Sequence, residues 1–420
     1  MNAMTEVRGW QNCLGAARPE LEINLCCGRA LIDPAAKERV RLLIRNGLNW
    51  PDVVAIAERH RLSPVVYEVI AGSAQDLISP AQLNVLREAT APSRAAGMAL
   101  LRELLRLHRL FEAAQIRVIS YKGPLLAWVA YGSFLRREYL DLDFAVEQKY
   151  IPDTVAVLES AGYRPQFDPR EAHAGQDGFV PGQYSFLSHP QKILAEFHTE
   201  RTLRYFPIPI DFQDLSSRLM TVEIGEQRLR TFSIEDTLVM LCVHGTKHFW
   251  GRLIWVLDIA KLMMVQEVDW TLLLDIAKKM KSTRVLLLGL YLAHDLFGAP
   301  LPPLVLQEAR GDRKVRKLAE KVYEQYAGIS DPSAGVWPRA VFRFWSRDGI
   351  GQGLRHMLRL VLSPTESDRQ TVRLPRLLAP LYSLVRPWRL LREYGLGLKR
   401  RQQSTPSPNY ANRTTQRDES

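Results

Sequence analysis

The spacing of hydrophobic residues changes twice along this chain, and this change constrains the fold more than any other feature. From Pro34 to Ala114 apolar residues recur at helical spacing. Between Arg117 and about Thr221 runs with a spacing of two appear, as in half-buried strands, with short helices between them. Helical spacing returns after Ser233, a helix-capping residue followed by acids. We therefore predict an α+β protein in which a small mixed-sheet module is embedded between helical regions.

The same changes predict five regions. Residues 1–116 should form an N-terminal helical region, 117–232 the α/β module and 233–340 a C-terminal helical region. Residues 341–401 should form a basic amphipathic region, and the polar stretch 402–420 a disordered tail. The stretch up to about Ile32 shows no helical pattern and is expected to be irregular.

Within the module, four strands are predicted with helices between them. A turn at Lys122-Gly123 separates the first strand from the first helix. The predicted strands are 117–121, 139–146, 184–187 and 193–198, and the predicted helices are 125–131 and 151–161.

Three acidic residues fall where these strands would bring them together. Asp141 and Asp143 are two residues apart on one predicted strand, so their side chains point to the same face. On a later strand Glu196 shares its face with His198. Mg²⁺ prefers hard oxygen ligands of this kind. The spacing therefore favours a site for Mg²⁺ or Mn²⁺ at Asp141, Asp143 and Glu196, suited to phosphoryl or nucleotidyl transfer.

The turn before these acids suits a phosphate. Gly123 lets the backbone approach a ligand closely, and exposed N–H groups at a helix start favour anions. Lys122 adds a point charge that can reach a phosphate oxygen. Each feature alone has a simpler interpretation, because Asp-x-Asp is common on surface strands and Glu196 fits a solvated strand residue. The order of glycine turn, helix and two acidic strands is what favours a site.

Several short phrases in this order make the chain similar to a known family. They are Asn49-Trp-Pro-Asp52, Ala57-Glu-Arg-His-Arg-Leu-Ser-Pro64, Tyr121-Lys-Gly-Pro-Leu-Leu126, Tyr131-Gly132, Arg137 with Asp141-Leu-Asp143, Glu196-Phe-His198, Leu241-Cys-Val-His244, Lys247-His248, Arg252 and Trp255 to Asp258. These phrases span about half of the chain, and over this length the chain resembles bacterial proteins known as uncharacterised nucleotidyltransferases, within the polymerase-β-like superfamily.

The resemblance implies a metal-dependent enzyme that moves a nucleoside monophosphate from an NTP to a hydroxyl or phosphate acceptor on a protein, glycan or small molecule. It implies two sets of residues. The metal-binding and catalytic set is Asp141, Asp143 and Glu196, and the nucleotide- and phosphate-binding set is Lys122, Gly123 and Arg137.

Two departures from the superfamily pattern keep an alternative open. Lys122-Gly123 replaces the usual Gly-Ser turn, and the third acid, often Asp, is Glu196, which is longer by one methylene. The alternative is a weakly active or inactive protein of the same fold. It would bind nucleotide or a partner and serve a biosynthetic or surface-polysaccharide gene cluster.

His244 and His248 are four residues apart and share one helix face. Gly245 and Thr246 follow His244, so the Glu of a His-Glu-x-x-His zinc motif is missing. We favour a packing or substrate-facing pair over a metal site. We expect this helix pair to be fixed against the module by Trp250, Arg252, Trp255 and Asp258, and a nucleotide-facing role for Arg252 or His248 stays open.

Positive charge is concentrated near the C-terminus. The chain has a net charge of +11, of which Val341 to Arg401 carries +9, from 13 Lys or Arg against 4 Asp or Glu. From 353 to 401 arginines alternate with apolar residues. This pattern fits helices packed on the body with solvated arginines, an anionic membrane surface or, less well, nucleic acid. A membrane-peripheral adaptor is therefore a third hypothesis.

Cysteine usage and hydropathy indicate a cytoplasmic protein, located at the inner membrane face if the basic region binds lipid. The cysteines at 13, 26, 27 and 242 form no Cys-x-x-Cys pair, so neither a zinc knuckle nor a disulfide framework is predicted. We expect no signal peptide, because the first residues lack an apolar core. The most apolar run, Val285 to Leu292, is far shorter than the ~20 residues that span a bilayer.

Overall fold

The computed structural model describes residues 18–166, 182–199, 211–331, 335–362, 371–372, 378 and 381–392. The tail predicted at 402–420 lies outside these residues. The chain forms two compact units, residues 1–357 and 358–420. All elements of the α/β module lie in the first unit.

The N-terminal part of the described chain is helical. Its helices are α1 (Pro19–Ala30), α2 (Ala36–Arg45), α3 (Trp50–His60), α4 (Ser63–Ser73) and α5 (Pro80–Ala113). The expectation that residues up to about Ile32 are irregular is wrong, because α1 occupies Pro19–Ala30. Most of α1 is buried, including Asn24, whose amide donates to the carbonyl of Val53 at 3.2 Å. A helix buried on most faces lacks the polar stripe by which a helix is recognised in a sequence.

The module contains the predicted mixed sheet. The elements are β1 (Ile119–Ser120), α6 (Gly123–Tyr131), β2 (Asp141–Ala145), α7 (Ile151–Ser160), β3 (Tyr163–Pro165), β4 (Gln183–Ser188) and β5 (Leu194–His198). The strand order is β1-β2-β5-β4-β3, with β2 and β5 parallel and the other pairs antiparallel. The α+β class predicted from the sequence is confirmed.

Aromatic packing decides which face of the sheet is buried. Phe144 of β2 and Phe197 of β5 stack with 4.8 Å between ring centroids. Phe111 of α5 contacts both rings edge-on, at 5.9 and 5.6 Å. Because side chains alternate along a strand, Asp141 and Asp143 point to the face away from α5.

A two-stranded sheet that the sequence reading missed lies at the C-terminal end of the module. After α8 (Phe212–Ser216), β6 (Met220–Ile224) and β7 (Gln227–Thr231) form an antiparallel hairpin around Gly225, which has a φ of +58°. Buried Val222 and Leu229 alternate with exposed polar residues. This alternation around a glycine is a hairpin signal that could have been recognised.

Helices return after the hairpin. They are α9 (Ile234–Lys247), α10 (Leu253–Val265), α11 (Trp270–Lys279), α12 (Thr283–Phe297), α13 (Pro303–Gly311), α14 (Arg313–Tyr326), α15 (Val336–Trp345), α16 (Ile350–Leu362) and α17 (Tyr382–Leu390). Ser233 caps α9 as predicted, since its hydroxyl accepts the Asp236 N–H at 3.1 Å. No helix among the described residues is long and apolar enough to cross a membrane.

A buried ion pair joins the module to this helical body. Nε and Nη2 of Arg137, which precedes β2, each donate to a carboxylate oxygen of Asp258 on α10 at 2.8 Å. Tyr131 at the end of α6 donates its hydroxyl to the same carboxylate at 2.8 Å. The Arg137 side chain is 7% exposed and the Asp258 side chain 0%. Three elements are therefore tied together at one carboxylate.

We expect Asp258→Ala to lower the free energy of unfolding by about 3–5 kcal/mol, because it leaves the Arg137 guanidinium buried without a counter-ion. Urea unfolding followed by circular dichroism measures this change through the transition midpoint. The control is Asp275→Ala on α11, which removes a carboxylate that is 68% exposed and should cost less than about 1 kcal/mol. Equal midpoints for the two variants would contradict a stabilising role for the buried pair.

Candidate functional site

Parallel pairing of β2 with β5 brings two of the predicted acids together. Asp143 and Glu196 are register partners, so they lie side by side on the same face of the sheet. Asp141, two residues earlier on β2, pairs in register with Leu194 and points to that face as well.

A compact group of possible ligand atoms is formed by Asp143, Glu196 and His198, whose donor atoms all lie within 4.8 Å of one another. His198 Nε2 is 3.2 Å from Asp143 Oδ1 and 3.8 Å from Glu196 Oε2. Asp141 does not belong to this group. The sequence reading placed His198 on the face of Glu196 but assigned it no role. The rule that selected Asp141 and Asp143, two residues apart on a strand, also applies to Glu196 and His198.

The glycine turn lies against the start of β2. Gly123 opens α6 with a φ of +51°, and a Cβ atom at this position would be 3.1 Å from the Asp141 carbonyl oxygen. Both the left-handed conformation and the close approach favour glycine here. Lys122 donates from Nζ to Asp143 Oδ1 at 3.0 Å. The predicted phosphate-binding turn therefore adjoins the acidic group.

Burial and neighbouring charges separate the carboxylates electrostatically. Burial would raise the pKa of Asp143, but Lys122 and His198 outweigh it and hold that pKa well below its usual range. Burial, followed by the charges of Asp143 and Asp141, raises the pKa of Glu196 to about 7. Burial and Asp143 also raise the pKa of Asp141. At neutral pH the metal-free site thus holds one firmly ionised carboxylate beside others that bind protons more readily.

Arg137 is close to the site but is engaged elsewhere. Its Nε and Nη2 donate to Asp258, whereas its charge acts on the Asp141 carboxylate four residues away. Phosphate binding by Arg137 stays a prediction, and its observed contacts connect the acidic strand to α10.

The histidine pair on α9 forms an aromatic cluster with α10. The rings of His244 and His248 lie 4.7 Å apart between centroids, and Trp255 lies 5.1 and 5.5 Å from them. Burial and the nearby cation Lys122 lower the pKa of His244 well below its usual value. Among the described residues this pair belongs to no group of three potential metal ligands.

The donor atoms of the acidic group fit a hard divalent cation. Carboxylate oxygens suit Mg²⁺ and Mn²⁺, and the imidazole of His198 suits Mn²⁺ better than Mg²⁺. Burial lowers the pKa of His198 despite the opposing effect of Asp143, so its ring is neutral at neutral pH and can offer a lone pair. Asp143, Glu196 and His198 are therefore the residues that would hold such an ion, with Asp141 the nearest further carboxylate on the same face.

A mixed sheet with acids on adjacent parallel strands, preceded by a glycine turn and a helix, is the arrangement expected of a nucleotidyltransferase module. Residues 46–298 match a family described as uncharacterised nucleotidyltransferase. The match covers more than half of the chain, which therefore belongs to this family. Compared with curated proteins and with solved structures, the chain shows no significant match to either.

The family match confirms the resemblance found in the sequence, and it has two consequences. Membership implies an NTP as substrate and a nucleotidyl-transfer role. Nucleotidyltransferases generally use divalent metals, and the Asp143–Glu196–His198 group is the kind of site they require.

The raised pKa of Glu196 predicts a pH-dependent affinity for Mn²⁺. Below pH about 7 the Glu196 carboxyl is protonated and neutral, so a cation must displace a proton to bind. Affinity should therefore fall by up to about tenfold per pH unit below pH 7 and level off above it. Isothermal titration with Mn²⁺ between about pH 5.5 and 8.5 measures this dependence.

Glu196→Gln should weaken Mn²⁺ binding and flatten the pH profile. The control is Glu223→Gln on the hairpin, whose carboxylate is 65% exposed and should leave the profile unchanged. An affinity of the unmodified protein that does not vary across this range would exclude Glu196 as the titrating ligand.

Proposed function

We propose that this protein transfers a nucleoside monophosphate from an NTP to a hydroxyl or phosphate acceptor and releases pyrophosphate. The observation that carries the proposal is the buried Asp143–Glu196–His198 group beside the Lys122-Gly123 turn, in a chain of the nucleotidyltransferase family. In the reaction an acceptor oxygen bonds to the α-phosphorus while the bond from that phosphorus to the oxygen bridging the β-phosphate breaks. A hydroxyl acceptor also loses its proton.

Each residue of the site has a role that follows from its position. Asp141, Asp143 and Glu196 are the proposed catalytic carboxylates, with His198 completing the ligand set. A bound Mg²⁺ or Mn²⁺ would neutralise charge that develops on the phosphate oxygens. Glu196, beside Asp143 on the neighbouring parallel strand, is the proposed carboxylate that orients a hydroxyl acceptor or takes its proton.

The turn residues act on the phosphates. Lys122 has three N–H donors, so it can keep its bond to Asp143 and still reach a phosphate oxygen. Gly123 begins α6, whose first-turn N–H groups are the proposed backbone donors to phosphate. Arg137 contributes positive charge from its pair with Asp258 and holds the acidic strand in place.

The acceptor class can be identified by following a label. The purified protein is incubated with each α-³²P-labelled NTP, Mg²⁺ or Mn²⁺, and cell extract. Label that appears in protein, glycan or a small molecule names the acceptor and the preferred NTP. Label confined to unreacted NTP under all conditions would favour the alternative of a nucleotide-binding protein without activity.

We expect Asp143→Asn to lower the transfer rate by at least about 100-fold, because it removes the charge that binds the metal at nearly constant volume. The control is Asp153→Asn, an exposed residue of α7 in the same module, which should keep full activity. Thermal unfolding of both variants checks that the fold is retained. Equal rates for Asp143→Asn and the unmodified protein would eliminate the proposed site.

We further propose that the basic C-terminal region contacts an anionic membrane surface. On α16, Leu354 and Leu358 are four residues apart and 59% and 60% exposed, with Arg355 and Arg359 next to them. On α17, Leu384 and Trp388 have the same spacing and are 64% and 51% exposed. Exposed apolar residues flanked by arginine and tryptophan favour an interfacial position on anionic lipid.

The protein should sediment with liposomes containing phosphatidylserine at low salt and be released as ionic strength rises. Each Lys or Arg near the surface adds about 1 kcal/mol, and the Debye length falls from ~10 Å at 0.1 M to ~3 Å at 1 M salt. The variant Leu354→Ser/Leu358→Ser should bind more weakly. The control Leu304→Ser removes a leucine of α13 that is 79% exposed. Full-length protein that stays in the supernatant at low salt would rule out the membrane proposal.

A further inference from the structure

Among the described residues, three further cations near the acidic group lack the ion-pair partners that Lys122 and Arg137 have. Arg61 follows the last residue of α3, Lys247 ends α9 and Arg252 precedes α10, and all three side chains are half-buried. Lys122 and Arg137 are paired with carboxylates. In the part of the chain that the structure describes, Arg61, Lys247 and Arg252 form no ion pair.

A hydrogen bond between their neighbours brings two of these cations together. The N–H of Leu253 donates to Nδ1 of His60 at 3.3 Å, which joins the end of α3 to the start of α10. Arg61 and Arg252 are the residues next to this bond. Arg252 lowers the pKa of Arg61, after the larger effect of burial, to about 10, while Asp141 opposes both. The two guanidinium groups are therefore neighbours on the Asp141 side of the site.

Lys247 approaches the acidic group from α9. Burial and the charge of Lys122 lower the pKa of Lys247, whereas Glu196 and Asp143 favour its charged form. Its ammonium group is thus within electrostatic reach of both carboxylates, although it forms an ion pair with neither. Arg61 thus acts on Asp141, Lys247 on Glu196, and Arg252 lies beside Arg61.

A strained turn fixes the backbone that carries Lys247 and Arg252. Phe249 and Trp250, between α9 and α10, both have positive φ, +56° and +53°, a conformation that costs non-glycine residues energy. The fully buried Trp250 ring holds the turn. Gly245 leaves room for it, since a Cβ atom there would overlap the ring. Strain of this kind persists where the surrounding packing requires one geometry.

Cations held close together without counter-ions repel one another and destabilise the fold. Glu138 favours the charged forms of Arg252 and Arg61, and Asp141 favours that of Arg61, yet neither carboxylate forms an ion pair with them among the described residues. The arrangement becomes favourable once an anion with several charges lies among the three groups. A chain of phosphates whose α-phosphate lies at the acidic group meets this requirement.

We propose that Arg61, Lys247 and Arg252 form the subsite that binds the triphosphate of the nucleotide donor. The proposal rests on the nucleotidyl-transfer function proposed above and names the residues that hold the leaving pyrophosphate. Guanidinium groups suit this task, because their N–H donors bond two phosphate oxygens at once. Helices that precede and follow the module in the sequence thus contribute residues to the proposed subsite.

The test uses inorganic tripolyphosphate, which has the phosphate chain without a nucleoside, in buffer free of divalent cations. Isothermal titration should show binding that weakens about tenfold or more in Arg252→Gln and in Lys247→Gln, as expected when a charge-assisted hydrogen bond is lost. Arg61→Gln should weaken tripolyphosphate binding to a similar extent. Arg252→Lys should bind tripolyphosphate more tightly than Arg252→Gln. The controls are Arg228→Gln and Lys278→Gln, whose side chains are 79% and 69% exposed.

A second readout distinguishes ligand binding from a structural role. Since these substitutions remove repulsion between cations, the thermal midpoint of the ligand-free variants should be unchanged or higher. A lower midpoint together with unchanged tripolyphosphate affinity would overturn the proposal in favour of a structural role. Unchanged affinity at an unchanged midpoint would overturn it as well.

The outcome is separable from that of the transfer assay. If tripolyphosphate binding depends on the three cations but no labelled nucleotide is transferred, the subsite stands and the enzymatic proposal fails. If transfer occurs and the variants keep the KM for NTP of the unmodified protein, the enzymatic proposal stands and the subsite fails.

Discussion

The parallel pairing of β2 with β5 sets Asp143 directly beside Glu196 on a largely buried face, and the neighbouring elements compensate for the resulting repulsion. Lys122 and His198 stabilise the ionised form of Asp143, while Glu196 responds with a pKa near neutrality. Like charges this close cannot both ionise freely unless a cation joins them. Acidic groups arranged in this way are costly for a fold by themselves, which is the reason to interpret them as a binding site.

The cations around this face divide into two groups with different physical roles. Arg137 and Lys122 each have a carboxylate partner at hydrogen-bond distance, so they stabilise the ligand-free protein. Arg61 and Arg252 lie beside one another without an ion-pair partner among the described residues, so they favour the bound state. The Arg137–Asp258 pair connects the groups, because it links the acidic strand to the helix that Arg252 precedes.

The sequence predicts those parts of the site that depend on local spacing. Alternation along β2 and β5 predicted the face shared by Asp143 and Glu196, and the positive φ of Gly123 agrees with the predicted turn. The sequence pattern did not predict α1, because most of this helix is buried and a helix with few solvated positions has no polar stripe. The proposed roles of Arg61 and Lys247 could not be derived from spacing. They depend on where the ends of α3 and α9 lie relative to the acidic strands, and this placement cannot be recognised from a local sequence pattern.

This division of roles links ligand binding to the packing of the helical body. The sheet supplies the carboxylates, whereas the ends of α3, α9 and α10 supply the unpaired cations. An anion among those helix ends would replace repulsion between Arg61 and Arg252 by attraction, and would add to the His60–Leu253 hydrogen bond that joins α3 to α10. A ligand that binds only the folded state stabilises it in proportion to its affinity. Binding of a nucleotide at the proposed subsite would therefore also stabilise the arrangement of these helix ends beside the acidic strands.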